Sequence, residues 1–260
     1  METQSVVLMG KIVAAHSFRG GTGKSSIIAN TAACLACKGK RVCIIDTDIQ
    51  SPGVHVFFGL EPENIKHSLN DYLWGKCSIE DAAMDVTRDE MKDAGGAMYL
   101  IPSSMGMTDI TRILKEGYEV SQLNNGFTHA IRTLNLDYLL LDTHPGIGEE
   151  TLLSLAISDI LLIMMRPDYQ DYQGTSITLD VCRRLEVPNP FLVINKVLPT
   201  YDFDKVKKEI ERTYRCEVAA VLPQSDDLIE LGSRDVLYVT RREHPFSQGI
   251  EKIAGEIDSV

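Results

Sequence analysis

The sequence is poor in aromatic residues, in cysteine and in positive charge, and it has no long hydrophobic run. Phe, Trp and Tyr make up 7% of 260 residues, with a single tryptophan. No apolar run reaches the ~18 residues that a membrane-spanning helix needs; the longest, around Ile160–Met165, is strand-sized. Met1–Gly10 carries neither a basic start nor an apolar core, so it does not read as a secretory leader. Six cysteines are too sparse for a disulfide framework. Reduced thiols and a cytoplasmic protein are expected. Basic residues number 26 against 37 acidic ones, a net charge of −11. That balance argues against coating nucleic acid by counterion release, while leaving room for a local basic patch. There is no repeat and no low-complexity tract. With 44% apolar and 24% charged residues, the composition excludes disordered and collagen-like classes.

What is present is a regular alternation of apolar runs and amphipathic stretches. Lys11–His16, Arg41–Asp46, Met98–Pro102, Asp137–Asp142, Asp159–Met165, Pro190–Asn195 and Val218–Leu222 read as strands. Their apolar runs are continuous rather than alternating, as in strands covered on both faces. Helices are expected between them, including Ser25–Lys38, Gly174–Leu185 and Phe203–Tyr214. Ser25–Lys38 is apolar almost all round and so should be buried. The β-α-β-α pattern predicts an α/β fold of three layers, with helices on both faces of a mostly parallel sheet. Glu61–Ala97 is the least regular segment, with short helices and a Gly95-Gly96 break. It reads as an excursion from one domain over 11–260, preceded by an N-terminal extension, 1–10.

The first strand runs into His16-Ser17-Phe18-Arg19-Gly20-Gly21-Thr22-Gly23-Lys24-Ser25-Ser26 and then a helix. A strand, a glycine-rich turn ending Gly-Lys-Ser and a helix form a phosphate cradle. The glycines let successive N–H groups point at one anion, and the helix N-terminus adds its dipole. Lys24 reaches the outer phosphates and the Ser25 hydroxyl ligates Mg²⁺. Phe18 stands where the first glycine of the usual motif would fall, and a cation, Arg19, directly precedes Gly20-Gly21.

This loop resembles the deviant Walker A motif, Lys-Gly-Gly-x-Gly-Lys-Ser/Thr, of the MinD/ParA family of P-loop ATPases, with arginine in place of the signature lysine. Three further motifs follow in the family's order, so that the resemblance covers nearly the whole chain. Ile44-Ile45-Asp46-Thr47-Asp48 ends the second strand. By the resemblance, Asp48 orients the attacking water and Asp46 supports the waters of Mg²⁺; a merely solvated strand end is the plainer reading. Leu139-Leu140-Leu141-Asp142-Thr143-His144-Pro145-Gly146 is similar to a Walker B strand and the switch loop after it. The resemblance gives Asp142 a Mg²⁺-bound water and makes the Gly146 N–H a sensor of the γ-phosphate. His144 is tempting as a base, but the family uses no histidine there, and a switch-loop side chain without chemistry is the plainer reading. Phe191-Leu192-Val193-Ile194-Asn195-Lys196 matches the family's strand ending in an Asn on the adenine edge, and Val221-Leu222-Pro223 resembles its second base-contacting loop. Asn195 could equally be a turn residue.

The resemblance implies a nucleotide site at Arg19, Gly20, Gly21, Thr22, Gly23, Lys24, Ser25, Ser26, Gly146, Asn195 and Pro223, and a metal site at Ser25, Asp46 and Asp142. Catalysis falls to Asp48, Lys24 and Arg19, with ATP and Mg²⁺ as the cofactors. It implies a sandwich homodimer formed with ATP, in which Arg19 reaches the partner's nucleotide as an arginine finger does. An arginine that only neutralises its own loop is the plainer alternative. The expected function is a slow, partner-stimulated ATPase switch that positions or partitions a cargo through a protein activator or adaptor. A metallocentre-assembly or small-molecule ATP-dependent enzyme of the same fold stays open, as does a nucleotide-binding protein with degenerate hydrolysis.

Several relatives fit less well. No cysteine lies in Asp142–Ile163, where cluster-binding members carry one. The Cys-x-x-Cys at Cys34–Cys37 falls on a helix expected to be core. Phe246–Val260 has one lysine, three acids and little apolar face, so no direct membrane anchor is expected there. Arg183-Arg184, Lys205, Lys207, Lys208, Arg212, Arg215 and Arg241-Arg242 are the candidates for DNA contact, which the charge disfavours without excluding.

Overall fold

The computed structural model describes residues 10–260. The expected N-terminal extension, 1–10, lies outside the described residues except for Gly10. The chain runs β1 (Lys11–His16), α1 (Lys24–Cys37), β2 (Arg41–Asp46), α2 (Leu69–Leu73), β3 (Met84–Asp85), α3 (Asp89–Asp93), β4 (Ala97–Ile101), α4 (Met107–Glu116) and α5 (Val120–Thr133). It continues with β5 (Tyr138–Asp142), α6 (Glu149–Ile157), β6 (Ile160–Met165), α7 (Tyr169–Arg184), β7 (Pro190–Val197), α8 (Phe203–Tyr214) and β8 (Glu217–Pro223). The last elements are α9 (Asp226–Leu231), α10 (Leu237–Thr240) and α11 (Pro245–Ser259).

The eight strands form one sheet in the order β3-β4-β2-β5-β1-β6-β7-β8. All neighbours are parallel except β3, which pairs antiparallel with β4 at the edge. Successive residues of each strand feed opposite layers, as the two-residue period of a strand requires. Val42, Ile44, Leu140 and Leu162 pack with Ile28 and Leu35 of α1 and with Phe246 and Ile250 of α11. Cys43, Ile45, Leu139 and Leu161 pack on the other side with Phe127 of α5, Leu179 of α7 and Ile210 of α8. Both faces are thus covered, which is the three-layer α/β/α fold that the continuous apolar runs predict.

Three local expectations are corrected. Helix α7 starts at Tyr169, not at Gly174, because the Asp168 side chain caps it by accepting the N–H of Asp171 at 2.9 Å. Gly174 lies inside the helix, where a Cβ would collide with the ring of Phe18; the missing side chain lets the phosphate-loop segment pack against α7. The irregular excursion contains a strand, β3, as well as short helices. Helix α11 does have an apolar face: Phe246, Ile250, Ile253, Ala254 and Ile257 are fully buried, and the helix packs against α1 and β8. Among the described residues, no helix is long and apolar enough to cross a membrane.

The order of strands sets the position of the site. From β1 the chain moves to one side of the sheet through β2 and β4, returns through β5, and continues past β1 to β6. Ligands in such sheets bind outside the carboxyl ends of the strands where the winding reverses. That point is the end of β1, where the glycine-rich loop leaves the sheet.

Candidate functional site

The loop 17–23 wraps the start of α1. Gly21 and Gly23 have φ of +78° and +91°, which a side chain would strain. At Gly23 there is a second reason for glycine: a Cβ would run into the amide of Asn195. The Ser17 hydroxyl donates to the Arg19 carbonyl at 2.8 Å and shapes the entry of the loop. The first turn of α1 therefore presents its N–H groups to a cavity of about 630 Å³ lined by Gly20–Ser26, Asp48, Ser51, Gly53, His144 and Pro145.

Asp142 ends β5 beneath this loop. Lys24 Nζ donates to its Oδ1 at 2.7 Å and Ser25 Oγ to its Oδ2 at 2.6 Å. Both Asp142 and Lys24 are buried. Asp46 ends the adjacent β2 in register with Asp142. Its Oδ1 accepts the N–H of Asp48 at 3.1 Å, and its Oδ2 accepts those of Gly53 and Val54 at 3.0 and 3.2 Å. Asp46 is fully buried. Burial, and then the charge of Asp142, push its carboxyl above the usual carboxylate range. Thr47 ties the two strand ends together, its N–H and hydroxyl both donating to the Asp142 carbonyl at 3.0 and 2.9 Å. Asp48 lies two residues on, at the wall of the cavity, with His144 Nδ1 2.7 Å from its Oδ1.

The remaining expected residues are placed less uniformly. The Gly146 N–H donates to the Ser17 carbonyl at 3.0 Å, joining the loop after β5 to the phosphate loop. Asn195 lies under the phosphate loop. Its Nδ2 donates to the Thr22 carbonyl at 2.8 Å, while its Oδ1 is buried with no partner among the described residues. Pro223 lines a different cavity, of about 610 Å³, with Tyr201, Phe203, Gln224 and His244. Arg19 points away from the phosphate cavity. Its Nε is 3.0 Å from Asp171 Oδ1, and its Nη2 is 3.6 Å from Asp168 Oδ2.

Four contacts have no signal in the motifs. Arg166 shares Asp171 and Asp168 with Arg19, at 3.1 and 3.0 Å. Lys196, with φ +59°, donates to the Gly21 carbonyl at 2.9 Å. Ser103 Oγ donates to the Asp46 carbonyl at 2.7 Å. His144 meets Asp48 across 96 positions of sequence. The capping pattern Asp168-x-x-Asp171 is visible in the sequence and points to the first of these; the others are tertiary.

The donor set fits the groups that the phosphate loop implies. The hydroxyl and carboxylates around Ser25 and Asp142 are hard oxygen donors, suited to a Mg²⁺ that keeps most of its waters. At Gly21 the space that a Cβ would fill is open. The unpartnered Oδ1 of Asn195 is an acceptor for an amine. Among the described residues, no group of three His, Cys, Asp or Glu side chains is arranged to hold a metal by itself. Cys34 is buried on α1, where burial pushes its thiol up to about 11, so it holds its proton rather than serving as a thiolate ligand.

Comparison with known proteins agrees with this construction. Residues 10–194 match the AAA domain family. An uncharacterized ATP-binding protein of Methanocaldococcus jannaschii is 27% identical over 253 residues, covering 97% of this chain and 89% of its own length. The sporulation initiation inhibitor protein Soj of Bacillus subtilis is 28% identical over 262 residues, covering 94% and 95%. The solved MinD cell division protein of Aquifex aeolicus superposes with a TM-score of 0.78 at 21% identity, covering 96% of this chain and 98% of that one; its MinC:MinD complex superposes equally well. The phosphate loop with a cation before its double glycine, the two acidic strand ends beside it and the shared fold lead to one conclusion: this chain belongs to the MinD/ParA family of P-loop ATPases.

Proposed function

We propose that this protein is an ATP-driven switch. It binds ATP with Mg²⁺, pairs face to face with a second copy, and is returned to the unpaired state by slow hydrolysis, positioning or partitioning a cargo through a protein partner. The observation that carries the reading is the junction at Asp142, where Lys24 and Ser25 of the phosphate loop meet the end of β5. A MinC:MinD complex among the similar structures supports a protein partner, and the likeness to Soj and MinD supports the switch.

Each residue has a task set by its position. The N–H groups of Gly20–Ser26 bind phosphate oxygens. Lys24, which lies on Asp142, is the cation within reach of the outer phosphates. Ser25 and Asp142 would hold Mg²⁺, directly and through water, and the ion would supply positive charge to phosphate oxygens during transfer. Asp46 acts indirectly in this structure, by fixing the turn 47–54 through three backbone N–H groups. Asp48 orients the attacking water. Asn195 Oδ1 offers an acceptor to the exocyclic amine of adenine, and Pro223 flanks the base from β8. Gly146 couples the loop after β5 to Ser17. Arg19 serves the second copy's nucleotide once it has left Asp171.

Of the candidate basic residues for DNA contact, Arg183, Lys205, Lys207 and Arg241 are each paired with an acid of their own neighbourhood. The test is the solution mass of Asp48→Ala by light scattering, with ATP·Mg²⁺ and with ADP. A dimer with ATP alone, lost when Arg19→Ala is added, is expected. A monomer under both nucleotides would overturn the switch.

A further inference from the structure

Asp48 and His144 come from different loops, one after β2 and the other after β5, and both face the phosphate cavity. His144 Nδ1 is 2.7 Å from Asp48 Oδ1. A carboxylate oxygen only accepts, so this nitrogen carries a hydrogen in the neutral and the protonated ring alike. The same Oδ1 also accepts the N–H of Ser51 at 3.2 Å. Asp48 Oδ2 takes no hydrogen bond among the described residues. The backbone of Asp48 is fixed as well, through its N–H on Asp46.

His144 is itself held in place. Its carbonyl accepts the Thr151 hydroxyl at 3.3 Å. The preceding Thr143 donates to the Ala15 carbonyl at 2.8 Å, so the loop is pinned to β1. The imidazole therefore reaches Asp48 from a braced position rather than from a free loop.

We propose that His144 is a positioning residue for hydrolysis: by donating from Nδ1 to Asp48 Oδ1, it fixes the carboxylate so that Oδ2 is the oxygen presented to the attacking water. The proposal rests on the reading of Asp48 as the water-orienting group. The terminal torsion of an aspartate is broad and roughly two-fold, so an unheld carboxylate samples many planes. A water that must attack in line tolerates little of that freedom, because small misplacements of a reacting group are costly. In the reaction, the water oxygen bonds to the γ-phosphorus. The bond from that phosphorus to the bridging oxygen breaks, with its electron pair leaving on ADP. One water proton stays on the phosphate product and the other passes to solvent. His144 takes up no proton; it holds Asp48.

The experiment compares His144→Ala, His144→Asn, His144→Gln and Asp48→Ala in the full chain with ATP·Mg²⁺, measuring kcat, KM and the ATP-dependent dimer. Asparagine places its amide N–H₂ near the position of the ring Nδ1; glutamine extends one bond too far. His144→Ala is expected to lower kcat about 10- to 100-fold with KM and dimer unchanged. His144→Asn should recover most of that loss, and His144→Gln should not. Wild-type turnover in His144→Ala while Asp48→Ala is inactive would overturn the role of His144. Equal losses in the asparagine and alanine variants would overturn it too. Unchanged turnover in Asp48→Ala would instead remove the reading of Asp48. If the alanine variant fails to fold, the contrast between asparagine and glutamine decides the matter by itself.

Discussion

Arg19 Nε lies 3.0 Å from Asp171 Oδ1 of its own chain, so the cation beside the double glycine is held by α7 and not by the phosphate cavity. Asp171 is almost fully buried and also binds the backbone N–H of Arg166, at 2.8 Å, and its guanidinium. Removing the charge leaves the two guanidiniums with only the half-exposed Asp168 as a shared carboxylate among the described residues.

Asp171→Asn is therefore expected to lower the unfolding free energy by about 2 kcal/mol. The figure is below the usual cost of breaking a buried pair because both arginines are part-exposed. Asp168→Ala, which removes the cap of α7, should cost about 1 kcal/mol. Urea unfolding of the two variants checks the order. Equal costs would mean that Arg19 is not held chiefly by Asp171.

Lys24→Ala should weaken ATP binding about 100-fold, equivalent to ~2.7 kcal/mol, since it removes a charge-assisted contact. It also leaves the buried Asp142 with only Ser25 as a side-chain partner among the described residues, so thermal stability without nucleotide should fall as well. Calorimetric titration and a melting curve separate the two effects. A variant with reduced affinity and unaltered stability would show that Asp142 does not depend on Lys24 in the free protein.

The buried His16 gives the stability a pH dependence. Burial, and then the nearby charge of Lys24, lower its pKa from 6.5 to about 3. The folded chain keeps the ring neutral while the unfolded chain protonates it below pH 6.5. This stabilisation is complete above pH 6.5 and is lost as the pH falls towards 3. The wild type should lose about 1.4 kcal/mol per pH unit relative to His16→Asn between pH 6 and pH 4. Parallel denaturation curves across that range would contradict the assignment.

Gly23→Ala meets two obstacles, a left-handed backbone and the Asn195 amide. The first should cost about 1–2 kcal/mol in any background. The second disappears when Asn195 is shortened. The cost of Gly23→Ala is therefore expected to be smaller in Asn195→Ala than in the wild type, and a double-mutant cycle reads the difference. Additive costs would mean that the two residues do not share space.

The strands were legible because each is a continuous apolar run with its chemistry at one end. β1 and β2 have the predicted bounds, and β5 and β6 each start one residue late. The motif residues Lys24, Ser25, Asp46, Asp48 and Asp142 converge because they sit at strand ends or at the helix start beside them. Helix α7 starts five residues before the expected Gly174, because the cap is Asp168 and Gly174 sits inside the helix, where it admits Phe18. The two-residue β3 has too few positions to show any period, and its neighbour β4 alone defines it. The apolar face of α11 is spread over twelve positions, from Phe246 to Ile257, among acids and polar residues, so it is visible only on a helical projection. The meeting of His144 with Asp48, and of Arg19 with Asp171, depends on which strands lie side by side, and no local pattern carries that.

Phe18 and Arg19 are consecutive, and both are attached to α7, one through a ring seated on Gly174 and the other through Asp171. An apolar contact and an ionic one thus join the same two bodies. The loop entry cannot tilt without dragging that helix, and the helix cannot slide along its axis without pulling on the loop. The outer side of α7 carries exposed Tyr169 and Ile177. A molecule gripping that side would have a mechanical handle on the cation two residues ahead of Gly21, without ever entering the phosphate cavity.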